Sequence, residues 1–279
     1  MKGVMAYVST MSGRTGFMAP MGDAPLGKEL TDGYNAAFPF PHVVIDDFLP
    51  PDVLEQVLAH FQNIAPNEDA QSFKRAQERF KTSFQPDSLE DDLRRIFYSF
   101  NSKPFIKLIE NITGINGLIP DPYFLGAGIH EIKQGGHLSV HADFNHHKLM
   151  NLERRINVLI YLNKDWKNEY GGGLELWDTN MAILAHDIVP LFNRCVIFST
   201  TSNSQHGNPQ PVTHPEGVSR KSIALYYYTS TWDGSKRSHT TQFKVRPGTA
   251  DKFDWRVKIG ELSDELLPPI IARRLRRII

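Results

Sequence analysis

The sequence has one cysteine, no long apolar run and no excess of charge of either sign. Cys195 alone cannot form an internal disulfide, which excludes a disulfide-stapled scaffold and suits a reducing compartment. No apolar run approaches the ~20 residues that span a bilayer. Residues 1–20, broken by Gly, Ser and Arg, make a poor signal peptide. We therefore expect a cytoplasmic protein without membrane contact.

Charge along the chain is balanced, because Lys plus Arg and Asp plus Glu number 31 each. No global field draws the chain to nucleic acid, so we expect no nucleic-acid partner. At 279 residues, 41% of them hydrophobic, the chain is long enough to bury a full core.

The patterns along the chain predict four segments. Residues 1–37, rich in Gly, Met and Pro, predict a tail or wrapping arm, and residues 38–120 predict a strand with helical support. Residues 121–230 predict a β-rich core. Residues 231–279 predict a polar extension that closes in a basic helix interrupted at Pro268.

Helical spacing is clear in the second segment. Pro51 opens a helix that runs to about Phe61, and apolar spacing predicts helices over 89–100 and 104–112, with Gly114 as a stop. Residues 67–87 are polar, and no element is predicted there.

Short runs rich in β-branched and aromatic residues recur after Pro122. They are YFLGAGIHEI, HLSVHADF, RINVLIYLN, GGLELWD, CVIFST and SIALYYYT. Strands at this spacing, without long helices between them, predict an antiparallel sandwich or barrel.

His141 and Asp143 end one of these strands as His-Ala-Asp. Residues i and i+2 of a strand share a face and lie ~6.5–7 Å apart, so both side chains can reach one metal ion. His206, after the strand CVIFS, is the best third ligand. Two histidines and a carboxylate are the ligand set of non-haem Fe(II) oxygenases. A structural His–Asp pair is the alternative, and zinc suits the same ligands.

His146 and His147 lie just downstream and could compete as ligands. They fall in a polar stretch, where solvated histidines are the expected reading.

Arg220 and Ser222 begin the strand SIALYYYT with their side chains on one face. A guanidinium fork beside a hydroxyl suits a carboxylate. The alternative for Arg220 is a surface ion pair.

These strings, in this order, resemble prolyl 4-hydroxylase-type Fe(II)- and 2-oxoglutarate-dependent oxygenases. The resemblance covers roughly residues 123–229, and PFPHVVIDDFLPPDVLEQV resembles the usual lead-in. It implies a mainly β fold with flanking helices, built on a double-stranded β-helix (jelly roll) core.

The resemblance also assigns roles to particular residues. His141, Asp143 and His206 bind iron, and Arg220 grips the distal carboxylate of 2-oxoglutarate with Ser222 beside it. Tyr161 falls where relatives place a tyrosine that holds the same carboxylate, with a core aromatic as the alternative. Asn157 stands near the cosubstrate.

The implied reaction hydroxylates an unactivated C–H bond, first of all in a peptidyl proline, and releases succinate and CO2. The implied cofactors are Fe(II), 2-oxoglutarate and O2, with ascorbate as a further candidate, and the implied partner is a protein or peptide substrate. Leu138, His130 and Glu131 depart from the prolyl hydroxylase pattern. They leave open another residue, a small molecule or a saccharide as substrate.

Two other classes of protein compete with an oxygenase. A cupin-like metal-binding or isomerase protein would use the same sandwich without activating oxygen, and Arg220 and Ser222 argue against it. A catalytically silent interaction module is disfavoured by the intact ligand set. Oligomeric state cannot be read from the sequence.

Overall fold

The computed structural model describes residues 6–8, 10–12, 16–18, 26–61, 71–74, 77–249 and 251. Its centre is an antiparallel β-sheet that curls on itself. The predicted C-terminal helix lies outside the described residues, as do parts of the predicted N-terminal arm.

The described elements follow one another along the chain. Helices α1 to α4 span Thr31–Ala36, Pro51–Phe61, Asp91–Phe100 and Lys103–Thr113. Strands β1 to β15 span Thr10–Ser12, Gly16–Met18, His42–Ile45, Gln71–Lys74, Glu78–Phe84, Ile119–Pro120, Gly128–Ala142, His146–His147, Leu152–Tyr161, Leu174–Trp177, Leu184–Ile188, Cys195–Ser199, Gln205–Asn208, Arg220–Thr229 and Gln242–Phe243.

Strand β7 is the element on which the sheet turns. The strand order is β11-β10-β13-β7-β14-β9-β12-β3, so β7 joins β13 on one side to β14 on the other. The first part of β7 pairs with β14 over residues 128–132, and its last part pairs with β13 at Leu138 and His141. The pairing of β7 with β5 shifts register between Ile132 and His137. One bent strand therefore serves both layers, as in a jelly roll, and the predicted fold class is confirmed.

The predicted helices of the second segment are present, and they pack on the sheet. Leu93, Ile96, Phe97 and Phe100 form the buried face of α3. Helix α4 ends at Gly114, whose φ of 72° is the left-handed conformation that glycine adopts readily. None of the described helices is long and apolar enough to cross a membrane.

Several of the described elements were not predicted from the sequence, among them helix α1 and strand β5. Helix α1 lies in the segment predicted as a tail or arm, where Thr31 Oγ1 donates to Asn111 O at 2.7 Å. Strand β5 lies in the polar stretch, because its inward face carries Lys81 and Ser83 in place of apolar residues. These two residues pair with Ile132 and His130 of β7.

Residues 231–249, which we call the C-terminal strap, return across the sheet after β14. Asn145 holds the strap from both sides of its amide, since it donates to Arg237 O and accepts from His239 N, each at 2.9 Å. Strand β15 then pairs with the end of β7, with Phe243 opposite His141. Further on, Arg246 binds Asp251 and reaches the buried Glu175 at 3.4 Å.

Candidate metal centre

The three predicted metal ligands meet at one point. His141 lies near the end of β7, Asp143 directly follows this strand, and β13 pairs His206 with His141. One ligand atom from each of the three residues lies within 4.8 Å of the other two. His141 Nε2 is 3.5 Å from Asp143 Oδ1, and His206 Nε2 is 3.3 Å from Asp143 Oδ2. The structure therefore brings together the ligand set that the sequence predicted.

Backbone carbonyls fix which nitrogen each histidine offers. His141 Nδ1 donates to Ser139 O at 2.8 Å, and His206 Nδ1 donates to Ser204 O at 2.9 Å. Since a carbonyl only accepts, the proton of each neutral ring sits on Nδ1 and the lone pair is on Nε2. Both Nε2 atoms face Asp143. This arrangement of a ligating histidine and its carbonyl partner is typical of metal sites.

Asp143 is held as a carboxylate. Burial alone would raise its pKa, but the charge of Arg154 and the contacts with His206 and His141 outweigh it and leave the pKa well below its usual range. Arg154 Nη2 lies 3.0 Å from Asp143 Oδ2, and Asn157 Nδ2 donates to the same oxygen at 2.7 Å. The site thus presents one ionised carboxylate and two imidazoles whose Nε2 atoms face it.

Arg220 is a buried cation, only 3% exposed. Its Nε donates to Gly172 O at 2.6 Å, and its Cζ lies 5.0 Å from the centroid of the Tyr161 ring. Among the described residues, no carboxylate pairs with this guanidinium. Because a buried charge without a counter-ion is costly, the position favours an anionic ligand over the surface ion pair considered above.

Ser222 and Tyr161 lie beside Arg220. They are direct cross-strand neighbours on β14 and β9. The Tyr161 hydroxyl is buried and makes no hydrogen bond of good geometry, although it lies beside the Arg220 guanidinium. Burial raises the pKa of Tyr161 to about 12, against the opposing effect of Arg220. Its ring packs in a small core with Phe40, Leu174 and other apolar residues. Tyr161 is therefore an aromatic packed in the core, with its polar end beside Arg220.

One strand connects the metal ligands to this arginine. Asn157, which contacts Asp143, and Tyr161, which contacts Arg220, lie on β9 four residues apart. An even separation puts both side chains on one face, about 13 Å apart along the strand. The metal centre and the anion-binding residues therefore share one inward-facing surface.

Several residues of this surface were not singled out in the sequence. Arg154 and Phe243 contact the metal ligands, with the Phe243 ring centroid 5.5 Å from that of His141. Asn208, two residues after His206, has a buried amide nitrogen without a hydrogen-bond partner. Asn208 could have been found from the sequence, because it lies two residues after His206 and so shares a strand face with it. Arg154 and Phe243 have no comparable spacing to a predicted ligand.

The neighbouring histidines do not join the metal group. His146 stacks on Trp232 with ring centroids 4.0 Å apart. His147 is fully buried, 3.3 Å from Asp121. The expectation that both histidines are solvated is therefore wrong for His147, which the end of β9 covers through its pairing with Leu152.

The residues present fit Fe(II) and 2-oxoglutarate. The donor set of two imidazoles and one carboxylate suits a divalent transition metal with open positions. The unpartnered Tyr161 hydroxyl and Asn208 amide, with the unpaired Arg220, offer polar partners to a dicarboxylate.

Solved structures share this fold. A prolyl hydroxylase from Trichoplax adhaerens, in complex with a hypoxia inducible factor peptide fragment, matches with a TM-score of 0.54 at 18% identity, over 75% of this chain and 92% of that one. A Pseudomonas putida prolyl-4-hydroxylase matches with a TM-score of 0.51 at 17% identity, over 74% and 100% of the two chains. The epimerase SnoN from nogalamycin biosynthesis matches with a TM-score of 0.51 at 12% identity, over 81% and 89%. No curated protein sequence matches this chain.

The fold and the ligand set together define a jelly-roll protein with a non-haem iron type of site. Residues 127–228 match the model of the family described as the 2OG-Fe(II) oxygenase superfamily. This segment contains every predicted site residue. Over these residues the chain is similar to the 2OG-Fe(II) oxygenases, and the prediction of a 2-oxoglutarate-dependent oxygenase is confirmed. The same match disfavours the cupin-like alternative.

Proposed function

We propose that this protein is an Fe(II)- and 2-oxoglutarate-dependent dioxygenase that hydroxylates an unactivated C–H bond, with a peptidyl proline as its first candidate substrate. The reaction consumes 2-oxoglutarate and O2, and it yields succinate, CO2 and the hydroxylated product. The observation that carries the proposal is the shared inward face of the sheet. His141, Asp143 and His206 converge at one end of this face, and Arg220 lies buried at the other end without a carboxylate partner among the described residues.

Each residue has a role in this reaction. Bound iron supplies the redox chemistry that activates oxygen. His141, Asp143 and His206 hold the metal, and Arg220 binds the distal carboxylate of 2-oxoglutarate, aided by Ser222 and Tyr161. All of these side chains are buried or nearly so, which keeps bulk water away from the reacting groups.

A peptidyl proline is supported by the fold shared with two prolyl hydroxylases, one of them in complex with a peptide.

His130 favours a second candidate class of substrate, which comprises a residue other than proline, a small molecule or a saccharide. It is buried on the same face as its cross-strand neighbour Ser222, and its Nε2 donates to Gly126 O at 3.0 Å. Burial and the charge of Lys81 hold the pKa of His130 well below its usual range, so the neutral ring keeps Nδ1 as an acceptor. A polar substrate group could use that acceptor.

The test is single-turnover hydroxylation. The protein is loaded anaerobically with Fe(II) and 2-oxoglutarate, with and without ascorbate, and then exposed to O2 in the presence of proline-containing peptides. We expect succinate and a peptide heavier by one oxygen atom. Asp143→Ala should abolish both products, because it removes a metal ligand, while His146→Ala should retain them, because His146 stacks outside the metal group.

The outcomes separate the two levels of the proposal. Oxygenation of a non-proline substrate with succinate release would keep the oxygenase and reject proline. A wild-type protein that binds neither a divalent metal nor 2-oxoglutarate would reject the oxygenase itself.

A further inference from the structure

Asp143 shares one of its two carboxylate oxygens with a buried arginine. Arg154 is 2% exposed, and its Nη2 lies 3.0 Å from Asp143 Oδ2. Asn157 Nδ2 donates to this same oxygen at 2.7 Å. Each oxygen also faces one imidazole, since Oδ1 lies 3.5 Å from His141 Nε2 and Oδ2 lies 3.3 Å from His206 Nε2. Among the described residues, no arginine or amide nitrogen donates to Oδ1. The two oxygens of one ligand are therefore held differently.

Arg154 also fixes the amide that it works with. Its Nε and Nη2 donate to Asn157 Oδ1 at 3.1 and 2.7 Å. Since the amide oxygen is engaged by the guanidinium, the amide nitrogen must point to Asp143. Arg154 thus acts on Oδ2 twice, once directly and once through Asn157.

Two aromatic rings hold the guanidinium in place. The Arg154 Cζ lies 3.6 Å from the ring centroid of Tyr226 and 4.4 Å from that of Phe144. Tyr226 is itself fixed, because its hydroxyl donates to Gly126 O at 3.0 Å. A guanidinium packed between rings and hydrogen-bonded at its edge has little freedom to move.

We propose that Arg154 and Asn157 form a positioning clamp that occupies Asp143 Oδ2, so that Asp143 binds iron through Oδ1 alone. The inference rests on the proposed function and adds two positioning residues to it. It assigns Asn157 to the metal ligand, where the sequence resemblance placed it near the cosubstrate.

The clamp matters because coordination positions are few. An octahedral metal with two histidines and a one-oxygen carboxylate keeps three open positions. A chelating 2-oxoacid would occupy two of them and would leave one open. A carboxylate that bound through both oxygens would take that last position. The clamp therefore keeps the site competent for both cosubstrates at once.

A purely structural role for Arg154 would be to neutralise the buried carboxylate of Asp143. The coordination number of a bound metal distinguishes this role from that of a positioning clamp. Co(II) is the probe, because its visible spectrum depends on coordination number. Arg154→Met keeps the length and the apolar stem between the rings but removes the donors. We expect its Co(II) affinity to fall about 10- to 100-fold. We also expect its Co(II) spectrum and its 2-oxoglutarate binding to change.

Two further variants serve as controls. Arg155→Met removes the adjacent arginine of β9, whose charge acts on Tyr34 and Glu153, and it should bind Co(II) and 2-oxoglutarate as the wild type does. Arg154→Lys keeps the positive charge but lacks the paired donors of the guanidinium. It should therefore restore Co(II) affinity to a greater extent than it restores the wild-type Co(II) spectrum. Melting curves of the metal-free variants show whether each is folded.

The clamp is rejected if folded Arg154→Met matches Arg155→Met in Co(II) affinity, spectrum and 2-oxoglutarate binding. Should Arg154→Met fail to fold, Asn157→Ala provides the second test, because it leaves the buried ion pair and removes one donor to Oδ2. Its spectrum should shift, and a wild-type spectrum would overturn the clamp. Failure of the proposed function gives a different result, in which the wild type itself binds neither Co(II) nor 2-oxoglutarate.

Discussion

The absence of a side chain at Gly172 sets the position of Arg220. A Cβ at Gly172 would lie 2.8 Å from Arg220 Cδ, and the residue has a φ of +68°. Its carbonyl accepts the Arg220 Nε, so the turn meets the arginine with backbone alone. Close approach and left-handed conformation both require glycine here.

We expect Gly172→Ala to weaken 2-oxoglutarate binding about 10- to 100-fold, because the methyl group displaces Arg220 from its carboxylate position. The Kd for 2-oxoglutarate of the metal-loaded protein measures this. Gly217→Ala is the control, since Gly217 has a φ of +69° but no atom within 4 Å of an added Cβ. It carries the same backbone strain without the clash, and equal losses in the two variants would exclude displacement of Arg220.

The sequence predicted those site residues whose spacing follows strand alternation. His141 with Asp143 and Arg220 with Ser222 are pairs of this kind. Arg154 could not be found in this way. The pairing of β9 with β14 shifts register there, so that Arg155 is an extra residue in a bulge. An odd separation of three then brings Arg154 and Asn157 together, which alternation does not predict.

The C-terminal strap adds a wall to the metal centre from outside the family-matched residues. Its strand β15 extends the edge of β7, and Phe243 covers the ring of His141. Apolar cover of this kind limits the access of water to a metal ligand. Strand β5 lies on the same edge of β7, and the sequence concealed it because its inward face is polar. Strands β5 and β15 are recognisable only in the folded structure, because both are defined by their pairing with β7.

We expect Phe243→Ala to weaken metal binding about tenfold, because it opens the face of His141 to water. The measurement is the rate at which the protein loses Mn(II) to a chelator, and this rate should be higher for the variant than for the wild type. Val245→Ala is the control in the same strap, since Val245 is 41% exposed and should have no effect. An unchanged rate for Phe243→Ala would mean that the strap does not shield the metal.

The helices and the jelly roll share one hydrophobic core. Leu93 and Phe97 of α3 and Ile109 of α4 belong to the same buried cluster as Ile156 of β9 and Ile223 of β14. The sequence suggested a boundary near residue 120, because helical spacing ends and strand alternation begins there. Periodicity shows where the type of element changes, but it does not show which apolar faces pack together. Only the folded chain does that.

A shared core should unfold as one unit. Leu93 is fully buried in α3, which contributes no site residue, and Leu93→Ala should lower the free energy of unfolding by about 2–5 kcal/mol. Leu149→Ala, the same substitution at a side chain that is 75% exposed, should change it by less than about 0.5 kcal/mol. In urea unfolding, the circular dichroism of the helices and the tryptophan fluorescence should change at the same midpoint concentration. This midpoint should be lower in Leu93→Ala than in the wild type. Separate midpoints would mean that the helices and the jelly roll unfold independently, since Trp166 and Trp177 report on the β-rich half of the molecule.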